Sequence, residues 1–188
     1  MIVGLPVTFP LPSESAISSY SWTDIADGSG RAEYYGVFCN QTGSATYKLL
    51  GFAGVSFHDD ASEAVIQSSA GTYNFDTTPF NTPRVAKGTV YASFTGASTG
   101  SEDIKIKLIK VSGGVPSDIS AQVTTTTLTS GHYYSIMLSI PLTAQTKFKI
   151  GDYLRVELIT SADATIFIDP LSSTRLPFKI NVPFKIEL

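Results

Sequence analysis

Apolar and polar residues alternate with a period of two through much of the second half of the chain. The closing stretch LPFKINVPFKIEL, residues 176–188, shows the pattern most plainly. Leu176, Phe178, Ile180, Val182, Phe184, Ile186 and Leu188 take even positions, whereas Pro177, Lys179, Asn181, Pro183, Lys185 and Glu187 take odd ones. A strand sends successive side chains to opposite faces, so this segment predicts one apolar and one polar face. The tetrapeptide PFKI occurs twice at an even offset, which keeps both copies in the same orientation. Fully extended, the stretch would span about 43 Å at roughly 3.3 Å per residue, longer than an average strand. Residues of like parity aim their N–H groups at the same edge, so Pro177 and Pro183 delete donors from one edge only. That predicts an edge strand or one bordering a subunit contact, with Pro177, Phe178, Pro183 and Phe184 as assembly residues.

Earlier segments carry the same signature. Within 153–160, Leu154, Val156 and Leu158 oppose Arg155 and Glu157, and the preceding Gly151-Asp152 pair supplies turn chemistry. Within 133–142, Tyr134, Ile136, Leu138, Ile140 and Leu142 share one face. Segments 84–95, 104–111, 121–128, 147–150 and 164–169 are also strand-like, and SGGVPSD (112–118) reads as a turn. Together they make about eight strands at roughly ten-residue spacing, the rhythm of a sandwich or jelly roll. Nearer the start, strands are expected around 33–38 and 47–57, and a loop with Phe75, Pro79, Phe80 and Pro83 follows. Helical periodicity is scarce; DDASEAVI (59–66) is the best candidate, with Asp and Ser to cap one or two turns. The predicted fold is therefore all-β: a jelly-roll-type antiparallel β-sandwich with an extended Pro-rich N-terminal arm. Residues 1–30 are assigned to the arm and 31–188 to the sandwich, with strands densest over 84–188.

Composition supports one globular unit. The chain has 188 residues, 43% hydrophobic, 11% aromatic and 15% charged, enough apolar material for a single core. Low charge with abundant Ser, Thr, Gly and Tyr suits strands and tight turns. A net charge of −3 gives no field that draws nucleic acid. The lysines of IKIKLIKV (104–111) read as the solvated face of a strand without an aromatic stacking platform, so no direct nucleic-acid contact is expected. No run approaches the roughly 18 apolar residues of a membrane helix, so no membrane partner is expected. The opening MIVGLPVTFPLP lacks the basic start of a signal peptide and holds Pro6, Pro10 and Pro12. Such an uncharged arm cannot fold alone and would be ordered by docking on a neighbour. Cys39 is the single cysteine, which excludes an intrachain disulfide framework; a buried free thiol in a chain made in a reducing cytoplasm is expected.

Candidate chemistry is sparse. Gly96-Ala97-Ser98-Thr99-Gly100 fits the G-x-S-x-G nucleophile elbow, but that elbow needs a following helix and a strand is expected instead. His58-Asp59-Asp60 offers ligand-type side chains without a D-x-D-x-D-G calcium loop, and reads as a solvated turn or cap. No catalytic, cofactor-binding or metal residue is assigned, and no cofactor is expected. Aromatic faces pack on the apolar faces of sugar rings, so Trp22, Tyr133 and Tyr134, beside His132, form a candidate ligand ledge; core and sheet packing is the simpler account of the tyrosines.

Two groups of segments carry a resemblance. One is Asp24-Ile25-Ala26-Asp27-Gly28-Ser29-Gly30 followed by Tyr34-Tyr35-Gly36. The other is Phe148-Lys149-Ile150-Gly151-Asp152-Tyr153-Leu154-Arg155-Val156, then Ile168-Asp169-Pro170 and Val182-Pro183-Phe184-Lys185-Ile186. The arrangement resembles the jelly-roll virion proteins of tailed bacteriophages, those that decorate heads, serve as minor capsid proteins or form short surface projections. The resemblance implies a structural particle protein without enzymatic activity, made in the host cytoplasm and located in the virion. It implies partners as well: copies of itself, as a homotrimer, and other virion proteins such as the major capsid protein. Host glycans are a further candidate partner, and a carbohydrate-binding or adhesive sandwich is the alternative reading.

Overall fold

The computed structural model describes residues 17–19, 29–41, 44–51, 64–66, 70–169 and 175–185. The described residues contain strands and no helix. The first five strands are β1 (Ile17–Ser19), β2 (Ser29–Gln41), β3 (Ser44–Leu50), β4 (Ala64–Ile66) and β5 (Gly71–Asp76). β6 (Arg84–Ala86), β7 (Thr89–Ser98), β8 (Ser101–Glu102), β9 (Ile104–Ser112) and β10 (Val115–Asp118) follow. Then come β11 (Val123–Thr124), β12 (Leu128–Thr129), β13 (Tyr133–Pro141) and β14 (Thr146–Phe148). The chain closes with β15 (Tyr153–Thr160), β16 (Ala164–Asp169) and β17 (Lys179–Lys185).

The main sheet is curled and runs β10-β9-β15-β5-β3-β2-β17-β7-β16-β4, with β13 added to β7, while β12 and β8 pair as a separate two-stranded sheet. Its pairings are antiparallel except for one parallel bridge between β3 and β5, Lys48 to Asp76, so the sheet is mixed. The curl folds the sheet into a sandwich, with Phe75 of β5 packed against Phe178 at 4.9 Å between ring centroids. Phe80, Phe148 and Phe184 form a second aromatic group in the same core. The all-β sandwich expected from the alternation is what the chain forms.

Burial follows parity where alternation was strongest. In β15, Leu154, Val156 and Leu158 are buried, while Arg155 turns outward and grips Asp76 of β5 through two bonds of 2.7 and 2.8 Å. In β9 the lysines are partly covered and paired: Lys107 bridges Asp118 and Glu157, and Lys110 reaches Asp152. The Gly151-Asp152 turn is built as its residues suggest. Gly151 has φ +87°, and Asp152, 3% exposed, accepts the Lys149 N–H at 2.8 Å and the Lys110 ammonium at 2.9 Å. Burial alone would raise the Asp152 pKa; the bonds from Lys149, Ser112 and Lys110 outweigh it and bring it down to about 2. Gly151 and Asp152 also exchange backbone bonds with Phe80, which ties this turn to the loop before β6.

Several expectations are corrected. SGGVPSD is not a turn throughout: Gly113 and Gly114 both have positive φ, a two-residue hairpin, and 115–118 pair back as β10. The 84–95 segment is two strands, broken at Lys87-Gly88 with Gly88 at φ +106°. The threonine run 124–127 is mostly not strand, because the Thr125 hydroxyl competes for the backbone, accepting the Ile104 N–H at 3.1 Å. The helical turn expected over 59–66 is overturned at its end, where Ala64–Ile66 pair with β16; residues 59–63 lie outside the described residues. Most of the arm assigned to 1–30 also lies outside them, though Ile17–Ser19 pair with β2.

The closing strand is corrected most instructively. Its parity holds: Phe178, Ile180, Val182 and Phe184 are all at most 2% exposed, while Lys179, Asn181 and Pro183 face outward. Its expected edge position does not. β17 pairs with β2 along one side, from Lys179–Tyr35 to Lys185–Ser29, and with β7 and then β6 along the other. The Phe178 carbonyl accepts from Gly36 of β2, and the Pro183 carbonyl accepts from Lys87 at the break between β6 and β7. Odd residues therefore face β7 and β6. The ladder to β7 covers Lys179–Asn181, just inside the two prolines, and β6 takes over at Phe184. Pro183 thus meets the break between β7 and β6, outside the ladder to β7. Both prolines strip the same edge; Pro183 meets the change of partner from β7 to β6, and Pro177 precedes the ladder to β7 beside Leu176, which bonds Thr95.

Candidate binding recess and free sheet edge

β13 pairs with β7 from Tyr133–Ala97 to Pro141–Thr89, and among the described strands nothing pairs with its other side. Its outward residues Tyr133, Ser135, Met137, Ser139 and Pro141 are exposed, Met137 at 76% and Tyr133 at 62%. Its inward residues Ile136 and Ile140 are buried, and Tyr134 and Leu138 pack on the margin of the core.

A recess of about 440 Å³ opens where β13 begins, lined by Ser98, Thr99, Gly131, His132, Tyr133 and Thr165 among others. Gly131, at φ +84°, turns the chain into β13 and sets His132 and Tyr133 on the rim. The Tyr133 ring lies 5.6 Å from that of Phe167 on β16, and the Arg175 guanidinium stacks 4.3 Å from Tyr133 and 4.4 Å from Phe167. The arginine thus fixes an aromatic wall by cation–π attraction. The hydroxyls of Ser98, Thr99 and Thr165 and the His132 imidazole give the recess polar groups to orient a ligand.

The predicted ledge separates here. Tyr133 faces solvent, whereas Tyr134 turns to the core margin with its hydroxyl on Thr129 at 2.6 Å. Trp22 lies outside the described residues, as do His58, Asp59 and Asp60, and nothing is described of the Cys39 side chain. Phe178 and Phe184, expected in assembly, are core residues, with Pro177 and Pro183 half-buried beside them. Ser98 ends β7, and its Oγ accepts the Gly100 N–H at 3.0 Å. The next element is β8, so the strand–turn–helix of a nucleophile elbow is not formed. Among the described residues, no three His, Cys, Asp or Glu side chains gather as a metal site, and no helix is long and apolar enough to cross a membrane. The edge of β13 that no described strand pairs with and the Phe167–Arg175 backing of Tyr133 were missed in the sequence; both depend on segments far apart in the chain.

No family model matches the chain, and no curated protein matches it in sequence. Solved structures do match in fold. An aminopeptidase from a marine sediment Thaumarchaeota archaeon matches at TM-score 0.57 and 12% identity, over 80% of this chain and 36% of its own. An alpha-amino acid ester hydrolase matches at TM-score 0.50 and 15% identity, over 83% of this chain and 34% of its own. A CocE/NonD family hydrolase from Staphylococcus aureus matches at TM-score 0.49 and 11% identity, over 80% and 36%. This chain therefore spans about a third of the length of these proteins. At such identities the likeness is one of fold. It corrects the expectation of a protein set apart from enzymes, because the sandwich adopted here is one that hydrolase chains contain. Structures of infectious bursal disease virus match at TM-scores of 0.26 and 0.27, too low to bear on function.

Proposed function

We propose that the protein is a structural component of a virus particle, a capsid decoration, minor capsid or tail-associated sandwich that associates with its own copies and docks on other particle proteins. The observation that carries this reading is the side of β13 that no described strand pairs with, on a nine-residue strand with exposed Met137 and Tyr133 on its outward face. Unpaired strand edges recruit other chains through main-chain hydrogen bonds, and proteins that do not use them usually shield them. The resemblance of the GDYLRV and VPFKI segments to phage virion proteins supplies the particle. Light scattering and negative-stain microscopy of the pure protein, alone and with purified particles, test the reading. Multimers that bind particles support it; a strictly monomeric chain that binds none removes it.

A second reading has its own observation. Tyr133, backed by Phe167 and Arg175 over a recess lined by the hydroxyl side chains of Ser98, Thr99, Ser130 and Thr165, suits a sugar ring. Glycan binding abolished by Tyr133→Ala would support an adhesive role, and a glycan array without signal would remove it.

A further inference from the structure

We propose that the recess where β8, β9 and β15 meet binds a small zwitterion, an α-amino acid by chemical class, between the carboxylates of Glu102 and Asp103 and the ammonium of Lys105. The site goes beyond the assembly role and does not depend on it.

The recess has a volume of about 480 Å³, within the range of small-molecule sites, and shares no lining residue with the one at Tyr133. Glu102, Asp103, Lys105, Thr127, Ile159 and Ser161 are among its walls.

Strand register explains why Lys105 stands without a counter-ion. Lys107 lies opposite Glu157 of β15 and bridges it at 3.2 Å, with Asp118 at 3.3 Å. Two residues earlier, Lys105 lies opposite Ile159 on β15 and Thr124 on β11, neither of them anionic. No ion pair of the described residues includes Lys105, Glu102 or Asp103, although all three are partly buried. Every other partly buried charged side chain among the described residues has an ion pair or a cation–π contact. The uncompensated charges thus collect in this one recess.

Asp103 carries a further sign. Its Oδ1 is sealed from solvent with no hydrogen-bond donor. A buried acceptor left unpaired costs free energy in the empty protein. A carboxylate stripped of part of its hydration also gains more from an ammonium than a solvated one does.

The ligand class follows from what is missing: donors for two carboxylates and an acceptor for one ammonium. A bare divalent cation would serve Glu102 and Asp103, but it would repel Lys105 and leave most of the volume unfilled. A sugar brings hydroxyls for all three groups, but none of the lining residues is aromatic, so its apolar face has no platform. A zwitterion answers each need. Its ammonium has three N–H donors, enough for both carboxylates and the Thr127 hydroxyl, and its carboxylate takes Lys105. Asp103 and Lys105, two residues apart on an extended chain, are separated by about 7 Å, which leaves room for both heads of a small ligand. Ile159, across from Lys105, gives an apolar side chain of the ligand a surface to rest on.

Titration calorimetry of the full chain with leucine tests the site, with glycine, isoamylamine, isocaproate, calcium chloride and glucose as comparisons. Leucine is expected to bind, and glycine, which lacks the apolar side chain, to bind less tightly. Isoamylamine and isocaproate each keep one charged head of leucine and should bind roughly 10–100-fold more weakly. Asp103→Asn and Lys105→Met should each weaken leucine binding by a similar factor. Each should leave the unfolding temperature of the ligand-free protein unchanged or raise it, because each removes an uncompensated charge. An unfolding temperature lowered in both variants would instead identify an internal Asp103–Lys105 pair and overturn the site. Absence of leucine binding at millimolar concentration would overturn it too, as would leucine binding that neither substitution weakens. Isoamylamine binding as tightly as leucine would overturn the role of Lys105. Binding of calcium or glucose in place of leucine would overturn the ligand class.

Discussion

Replacing Asp152 by asparagine should destabilise the fold at neutral pH and cease to matter near pH 2. The carboxylate is 3% exposed, accepts the Lys149 N–H and pairs with the Lys110 ammonium. Burial pushes its pKa up, but the bonds from Lys149, Ser112 and Lys110 win and hold it at about 2, against an ordinary 3.8. A folded pKa below the unfolded one stabilises the protein above pH 3.8, and that contribution is lost as pH falls toward 2. A displacement just under two units, at about 1.4 kcal/mol each, sets a ceiling of about 2.5 kcal/mol. The asparagine side chain would keep an acceptor for the Lys149 N–H, so a loss of about 1–2.5 kcal/mol is expected, or roughly 3–8 °C in unfolding temperature for a chain of this size. Urea unfolding of both proteins between pH 7 and pH 2.5 measures the gap between them, which cancels the carboxylates they share. The gap should be constant down to about pH 5 and close steadily below pH 4. A gap that stays the same from pH 7 to pH 2.5 would refute the assignment.

Other perturbations probe the closing strand and the recess. A Cβ on Gly36 would stand 2.2 Å from Phe178 Cδ1, so Gly36→Ala should cost about 1–3 kcal/mol in chemical denaturation, as overpacking does. Asn181→Pro, within the ladder to β7, should cost about 3 kcal/mol, whereas Pro183→Ala at the break between β7 and β6 should stay within about 1 kcal/mol. Equal effects of those two substitutions would contradict the bracketing of β7 by the prolines. Tyr133→Ala should leave the unfolding temperature within a few degrees of wild type, because the ring is largely exposed, and should abolish any glycan signal seen by titration calorimetry.

What the sequence could reveal was governed by range. Alternation in β15 and β17 fixes which residues are buried, because a strand's two faces are a local property. Leu154, Val156, Leu158, Phe178, Ile180 and Val182 are all core residues, as their parity required. Neighbouring strands are not local. A proline on one edge of β17 looks the same whether that edge meets solvent or a break between β6 and β7, and only the register of Pro183 with Lys87 distinguishes them. Tyr133, His132 and the Ala97-Ser98-Thr99 stretch were each visible in the sequence, but nothing there brought them together as one recess. The backing of Tyr133 by Phe167 and Arg175 joins strands that sequence spacing does not connect. Hairpin 112–118 was misjudged at its edges for a different reason: Val115 and Pro116 are exposed, so no apolar periodicity marks β10 as a strand.

The central claim is that this sandwich works by assembling on a virus particle. Sedimentation of the full-length chain, alone and mixed with particles purified from the same host, addresses it most directly. The account predicts a multimer that moves with the particles into the pellet at a fixed copy ratio. A single chain left in the supernatant at every concentration would contradict it.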